Sequence, residues 1–521
     1  MSQTFTSPDP DVEIPPIPYN QYVLAAAERL GDKPALIDGP SGRTITFAQL
    51  ATGVERVAAG LAARGFAKGD VFAIYSPNVP EYAVAFYGVA AAGGINTTIN
   101  PLYTVDELVN QLVDSGARFL LTVPPFLDKA LAAAERSGVE EVFVLGEGEG
   151  ATPFAELLDS GGAPPDVEVD PEDLVAMPYS SGTTGLAKGV MLTHRNLVAN
   201  VAQCAPILTV NESDVVVAIL PLFHIYGLTV VMGMALRRGA TLVTMPRFDL
   251  EEFLRLHSDY GVTRDFVVPP IMLALAKHPL VDKYDLSKLR FITSGAAPLS
   301  AELEAAVADR LGCYVAQGYG MTEASPVLTA SPDDDARIRH GSVGQCLPGT
   351  KLQVIDAETG EVAGPGTVGE LIFSGPQVMR GYLNKPEETA AMLTEDGWLH
   401  TGDLGYADED GYVFVVDRVK ELIKYKGMQI APAELEAVLL SHPKVADAAV
   451  IRVADEEAGE VPKAFVVQAA EVSADELKEY VAEHVAPYKR IRDLEFIDAI
   501  PKAASGKILR RVLMAKEAES A

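Results

Sequence analysis

Residues 179–189, Tyr-Ser-Ser-Gly-Thr-Thr-Gly-Leu-Ala-Lys-Gly, combine side chains suited to gripping a polyphosphate. Gly182, Gly185 and Gly189 let backbone come close to a ligand, Ser180, Ser181, Thr183 and Thr184 offer short hydroxyl donors, and Lys188 adds a point charge. The spacing excludes two common nucleotide loops. Lys188 precedes Gly189 instead of following a glycine and preceding Ser or Thr, so this is not a P-loop. Gly318 and Gly320 supply two glycines of a dinucleotide fingerprint, but Glu323 stands where the third belongs. A generic Gly/Ser/Thr run is a flexible surface loop. Here the apolar residues 174–177 lead in and a helix-like stretch, 193–201, leads out, which predicts a strand-loop-helix phosphate site.

Six of the other informative segments follow in chain order: Pro221-Leu-Phe-His-Ile-Tyr-Gly, Ser294-Gly-Ala-Ala-Pro, Gln317-Gly-Tyr-Gly-Met-Thr-Glu, Gly369-Glu-Leu, Trp398-Leu-His-Thr-Gly-Asp, and Val416-Asp-Arg-Val-Lys-Glu-Leu-Ile-Lys-Tyr-Lys-Gly. Pro501-Lys-Ala-Ala-Ser-Gly-Lys closes the series. With the 179–189 loop, these blocks resemble the adenylate-forming superfamily of acyl-CoA synthetases, aryl-CoA ligases, luciferases and peptide-synthetase adenylation domains. The resemblance covers nearly the whole chain. The wording of residues 420–436 is most similar to 4-coumarate–CoA ligases.

The resemblance implies a ligase in which a carboxylic acid and ATP give acyl-AMP and CoA then gives a thioester, with Mg2+ as cofactor. Both steps move charge, so positioning and electrostatics should dominate. It further implies that Lys507 bridges the substrate carboxylate and the α-phosphate. A lysine near a chain end is ordinarily a solvated charge, and the intact Ser-Gly-Lys block is what makes this one a catalytic candidate. Asp403 would accept the ribose hydroxyls, although a turn aspartate after Gly402 reads equally well locally. Arg418 would reach ribose or phosphate, or serve a structural Asp-Arg pair. Gln317 and Gly318 would line the adenine, Tyr319 would offer it a flat face, Thr322 would reach the α-phosphate, and Glu323 would be a hard oxygen ligand for Mg2+.

His224 alone in an apolar run reads as a core histidine, and the family wording assigns it to orienting the carboxylate. Tyr226, Val230, Ala296, Gly320 and Val327, with Gly227, Gly295 and Gly318, would form the acyl pocket, one aromatic wall beside small residues. Lys420, Lys424 and Gln429 would face the adenylate, with Lys424 and Gln429 among the catalytic candidates. Lys426 and Gly427 would border the CoA channel, where a missing Cβ lets pantetheine pass. A solvated basic hairpin remains open for Lys420 and Lys426. Arg247 takes the place of a CoA-linked lysine, and Ser374 stands where plant relatives carry arginine.

The chain has 521 residues, 48% hydrophobic and 22% charged, which is ordinary globular composition and too long for one core. The net charge of −30 argues against nucleic acid as a partner. From Asp417 onward, 16 Lys+Arg face 19 Asp+Glu, leaving −3 there and −27 in the remainder, so cations concentrate in the C-terminal part. Three scattered cysteines, Cys204, Cys313 and Cys346, predict buried thiols rather than disulfides, in a cytoplasmic protein. Neither end carries a recognisable targeting signal. Residues 215–236 contain no charge, but Pro221, Gly227 and Gly233 interrupt them, so they read as strand, loop and core helix with no membrane span. A monomer or weak homodimer is expected.

Short Val/Ile strands alternating with Ala/Leu helices up to residue 416 predict layered α/β packing. Residues 351–416 read as a small β-rich subdomain. The expected organisation is an N-terminal adenylation domain over 1–416, a hinge at 417–420 and a small mobile α+β domain over 421–521. Cinnamate or 4-coumarate is the expected acid. The alternatives are a medium- or long-chain fatty acyl-CoA synthetase and a non-catalytic nucleotide-binding protein. A serine hydrolase is excluded because no G-x-S-x-G occurs.

Overall fold

Apolar runs without polar alternation, such as residues 71–75, belong to strands buried on both faces, the condition of a parallel sheet covered by helices. The structure, a computed structural model, describes residues 3–180, 187–356, 359–418, 421–426, 428–455, 458–503 and 506–520. Among these residues the strands form four sheets, two of nine strands and two of five. In the first, Val71–Tyr75 lies parallel to Ile95–Thr98 and Ala117–Thr122, with Glu141–Val144 beyond. In the second, Thr241–Thr244, Val215–Ala218, Arg264–Val267, Phe291–Ser294 and Tyr314–Gly320 run parallel in that order, and Val327–Ala330 turns back antiparallel.

Helices Phe47–Ala63 and Pro80–Ala91 pack into the largest core, which also holds Tyr19, Phe72 and Phe119. They approach so closely that a Cβ on Gly88 would lie 2.5 Å from Val57 Cγ1, which reserves that position for glycine. In the second sheet, the buried Arg264 guanidinium makes a two-pronged contact with Asp333, at 3.1 and 2.6 Å. Asp333 also accepts from the backbone N–H and hydroxyl of Thr209, so its carboxylate is well satisfied, while the buried Arg264 Nε has no hydrogen-bond partner among the described residues.

Residues 351–416 are β-rich as expected. Lys351–Ile355, Gly369–Ser374, Leu399–Ala407 and Val413–Arg418 form an antiparallel sheet, and Phe5–Thr6 adds an unforeseen edge. The last strand includes Asp417 and Arg418, two residues of the expected hinge. From Ile423 onward a separate sheet packs helices Pro432–Ser441 and Ala474–His484 over its own core, including Leu435, Val450, Val466 and Leu477.

Residues 215–236 resolve into Val215–Ala218, a loop and the wide-turned π-helix Tyr226–Met234. Among the described residues, no helix is long and apolar enough to cross a membrane. Cys204, Cys313 and Cys346 are free and buried.

One expectation is corrected. The phosphate loop does not run from strand into helix: Tyr179 and Ser180 pair with Gly189 and Lys188, so it joins the arms of a hairpin. The following helix, His194–Cys204, starts only after strand Lys188–Thr193, and a reciprocal Thr193–Asn196 cap already occupies its first turn. Its first amides are taken by the Thr193 hydroxyl and by the Asp173 and Pro171 carbonyls.

Candidate active site

Three neighbouring parallel strands end at Val267, Ser294 and Gly320, and their carboxyl ends deliver the site loops to one edge of the sheet. After the third, a single helical turn, Thr322–Ala324, presents Glu323. Glu323 is 6% exposed, and its Oε1 accepts from the Ser180 hydroxyl at 3.0 Å and the Tyr382 hydroxyl at 2.7 Å. Strand Gly381–Tyr382 pairs with Val190 and Met191, which carries Tyr382 to this place. Burial, then the Glu323 charge, raises the Tyr382 pKa, so the phenol stays a neutral donor. The Lys188 ammonium lies 4.8 Å from the Tyr382 ring centre, a cation–π contact on the hairpin arm. Among the described residues, no three His, Cys, Asp or Glu side chains cluster to hold a metal. A cation at Glu323 would therefore take its remaining ligands from phosphate and water.

Asp403 sits beside this group on Leu399–Ala407, 6% exposed, and accepts from the Tyr319 hydroxyl at 2.6 Å. The preceding turn is pinned by Gly402 N–H on Glu370 at 3.1 Å and by the Thr401 hydroxyl on the Leu371 carbonyl at 2.7 Å. Gly402 has φ +69°, a conformation glycine adopts without strain. The Tyr319 ring lies 6.0 Å from Phe373, so the aromatic face and the carboxylate hold each other in place.

His224 precedes the Tyr226–Met234 helix, and its Nδ1 accepts the Tyr226 N–H at 3.3 Å, which places the ring proton on Nε2. Burial first, and the positive charge of Lys507 second, lower its pKa to about 4, so the imidazole is neutral at neutral pH. Lys507 reaches this neighbourhood on a tight loop. Its carbonyl accepts the Ala503 N–H at 2.8 Å, and Lys502 and Ile508 pair across the base. Gly506, at φ +80°, lets the loop lie flat on the other part of the chain, because a Cβ there would be 3.0 Å from Val268 Cγ2.

Next to His224, the buried Tyr226 hydroxyl donates to the Thr293 carbonyl at 3.2 Å, and its ring meets Phe266 edge-on. A Cβ on Gly295 would lie 3.3 Å from both the Tyr226 ring and the Gly318 carbonyl, and one on Gly320 would meet the Pro326 carbonyl at 2.0 Å. Tyr226, Gly295 and the Gly318 carbonyl are therefore packed together, while Gly320 faces the Pro326 and Val327 backbone, with Val327 also its strand partner and Val230 four residues along the helix from Tyr226. Ala296 has φ +69°, an uncommon conformation for a residue with a side chain.

The chain matches the AMP-binding enzyme family over residues 23–383 and the AMP-binding enzyme C-terminal domain over 434–507. It belongs to the AMP-binding enzymes. Among curated relatives, 4-coumarate–CoA ligase 2 of Petroselinum crispum is 45% identical over 524 residues, covering 98% of this chain and 96% of the relative. The 4-coumarate–CoA ligase of Pinus taeda is 45% identical over 517 residues, covering 97% and 96%. Among solved structures, the anthranilate CoA ligase AuaEII in complex with anthranoyl-AMP superposes with TM-score 0.91 at 27% identity, covering 97% of this chain and 98% of that one. The o-succinylbenzoate CoA synthetase MenE of Bacillus subtilis, in complex with its acyl-adenylate, gives 0.83 at 32% identity, covering 96% and 98%.

In this AMP-binding enzyme the other described candidates take varied places. Gln317 turns its amide to the Leu299 carbonyl (3.2 Å) and to Glu304 (2.9 Å), so its side chain ties the strand to helix Ala301–Leu311. Arg247, Lys424 and Lys426 are exposed, Lys426 at φ +48° with its ammonium 6.0 Å from the Tyr425 ring. Thr322 opens the turn that carries Glu323. Ser181, Gly182, Thr183, Thr184, Lys420 and Gly427, and the side chains of Arg418 and Gln429, lie outside the described residues. Tyr382 escaped sequence reasoning, because Arg-Gly-Tyr carries no chemical signal until Gly381–Tyr382 pairs with the hairpin.

Proposed function

We propose that the chain is an ATP-dependent carboxylate–CoA ligase for 4-coumarate and cinnamate-type acids. The carboxylate attacks the α-phosphorus of ATP, forming acyl-AMP and releasing pyrophosphate. The CoA thiol then attacks the anhydride carbonyl, forming the thioester and releasing AMP. The observation that carries this reading is the seating of Gly506, next to Lys507, against Val268 and Pro270 at the end of the Arg264–Val267 strand, which brings the lysine charge to act on His224. A neutral His224 donates a hydrogen bond to the acid without adding a competing cation. Lys507 meets the negative charge that builds between carboxylate and α-phosphate.

The Tyr319–Asp403 pair suits adenine and ribose, with the phenol donating to Asp403 Oδ2 and fixing the carboxylate. Ser180, Lys188 and Glu323 suit the phosphates. Glu323 would hold Mg2+, which when bound neutralises phosphate charge. The exposed Arg247 and the edge carrying Lys424 and Lys426 suit the CoA approach. The free, buried cysteines fit a cytoplasmic enzyme.

The acid assignment rests on the names of the curated relatives and on the Tyr226 ring beside Gly295, a flat wall that favours a planar ring over a chain that loses rotor entropy on binding. Measuring kcat/KM across a panel of acids tests it. Values for 4-coumarate and cinnamate should exceed those for octanoate and palmitate, and the reverse order would replace this reading with a fatty acyl-CoA synthetase.

A further inference from the structure

Helix Pro432–Ser441 is held at both ends by residues from outside its own domain body. At its start, Asp417 on strand Val413–Arg418 accepts the Ala433 N–H at 3.0 Å. At its end, the Lys277 ammonium donates to the Leu440 carbonyl at 2.9 Å. Leu440 is among the last residues of the helix, whose carbonyls lack partners within it and carry the negative end of the helix dipole. Lys277 is itself the last residue of helix Pro269–Lys277 in the large N-terminal domain. The opposite end of that helix, at Pro270 and the preceding Val268, is the surface on which Gly506 of the Lys507 loop rests.

The same C-terminal helix is rigidly connected to Lys507. Arg510, three residues further on, grips both Glu436 oxygens at 2.7 and 2.8 Å, pairs with Glu421, and donates to the Val450 carbonyl at 3.1 Å. Helix and catalytic loop therefore move as one piece. Leu440 lies about 10 Å along the helix from Ala433, so a turn of roughly 30° about Asp417 displaces Leu440 by about 5 Å. Such a turn keeps the Asp417 and Arg510 contacts but breaks the bond to Lys277.

We infer that Lys277 is a positioning residue that latches the C-terminal domain in the orientation delivering Lys507 to His224, and so favours acyl-AMP formation over the thioester step. This rests on the proposed ligase function. The latch lies outside the space around ATP and acid, and acts only on the balance between domain orientations.

The test uses the full chain with Asp106→Cys and Asp475→Cys as dye sites. Both positions are exposed, with side-chain exposure of 79% and 86%, and the native cysteines are buried. Lys277→Ala should reduce the population with the parent energy-transfer value about five-fold relative to other orientations, and Lys277→Arg should restore it. Unchanged transfer in Lys277→Ala overturns the latch, whether or not the chain makes acyl-AMP. In parallel, Lys277→Ala should slow acyl-AMP formation about five-fold while thioester formation from supplied acyl-AMP and CoA is unchanged or faster. Equal slowing of both half-reactions overturns the latch as well. Failure of the unsubstituted chain to form any acyl-AMP would instead sink the ligase reading, leaving the energy-transfer result to judge the latch.

Discussion

Replacing Tyr382 by Phe removes one oxygen from the Glu323 group and leaves the ring. The phenol supplies one of the two hydroxyls on Glu323 Oε1, at 2.7 Å, and the carboxylate is 6% exposed, so little water can take its place. A hydrogen bond to a charged group contributes ~1.5–3 kcal/mol. At ~1.4 kcal/mol per decade, that predicts a roughly ten- to hundred-fold loss where Glu323 acts. The loss should fall on kcat/KM for ATP and on the Mg2+ concentration giving half-maximal rate, with KM for the acid nearly unchanged. Lys188 keeps its aromatic partner, because the ring 4.8 Å away survives. Pyrophosphate release measured across ATP and Mg2+ titrations reads both quantities. A variant with a lower Tm but unaltered ATP and Mg2+ dependence would show that Tyr382 only packs the hairpin, and would remove Glu323 from the phosphate site.

Lys507→Ala should lose roughly 10²- to 10³-fold in acyl-AMP formation, the cost of one preorganised donor, yet still convert supplied acyl-AMP and CoA to thioester. Equal loss in both would refute its role. Asp333→Ala strands the buried Arg264 guanidinium and should cost about 3–5 kcal/mol in denaturant unfolding, and a cost under about 1 kcal/mol would contradict that pairing. His194 and His224 both have pKa values lowered from 6.5 to about 4, chiefly by burial. The unfolded chain therefore takes up protons below pH 6.5 that the fold refuses, and stability present above 6.5 is lost as pH falls towards 4. The bound is ~3 kcal/mol per histidine at ~1.36 kcal/mol per unit. Unfolding measured from pH 7 to 4.5 should show this decline, with a shallower slope for His194→Gln, and a flat profile would contradict it.

The parallel strands were legible because burial on both faces leaves continuous apolar runs, and Val71–Tyr75 occupies the residues its sequence indicates. The site blocks were legible because close backbone approach demands glycine, as at Gly320 beside the Pro326 carbonyl. What escaped was set by pairing over long separations. Tyr319 meets Asp403 across 84 residues and Ser180 meets Glu323 across 143, and no local pattern encodes either bond. The misread exit of the phosphate loop has a local cause. Residues 188–193 look like a lead into the helix, yet they form a strand with its own partners on both sides.

The central claim is that this site makes an acyl-adenylate before it makes a thioester. Incubating the purified chain with ATP, Mg2+ and 4-coumarate in the absence of CoA, and analysing the products by mass spectrometry, tests it most directly. The expected result is pyrophosphate together with enzyme-bound 4-coumaroyl-AMP, which disappears on addition of CoA as 4-coumaroyl-CoA and AMP form. ADP and phosphate in place of pyrophosphate, or a thioester that forms with no adenylate preceding it, would contradict the account.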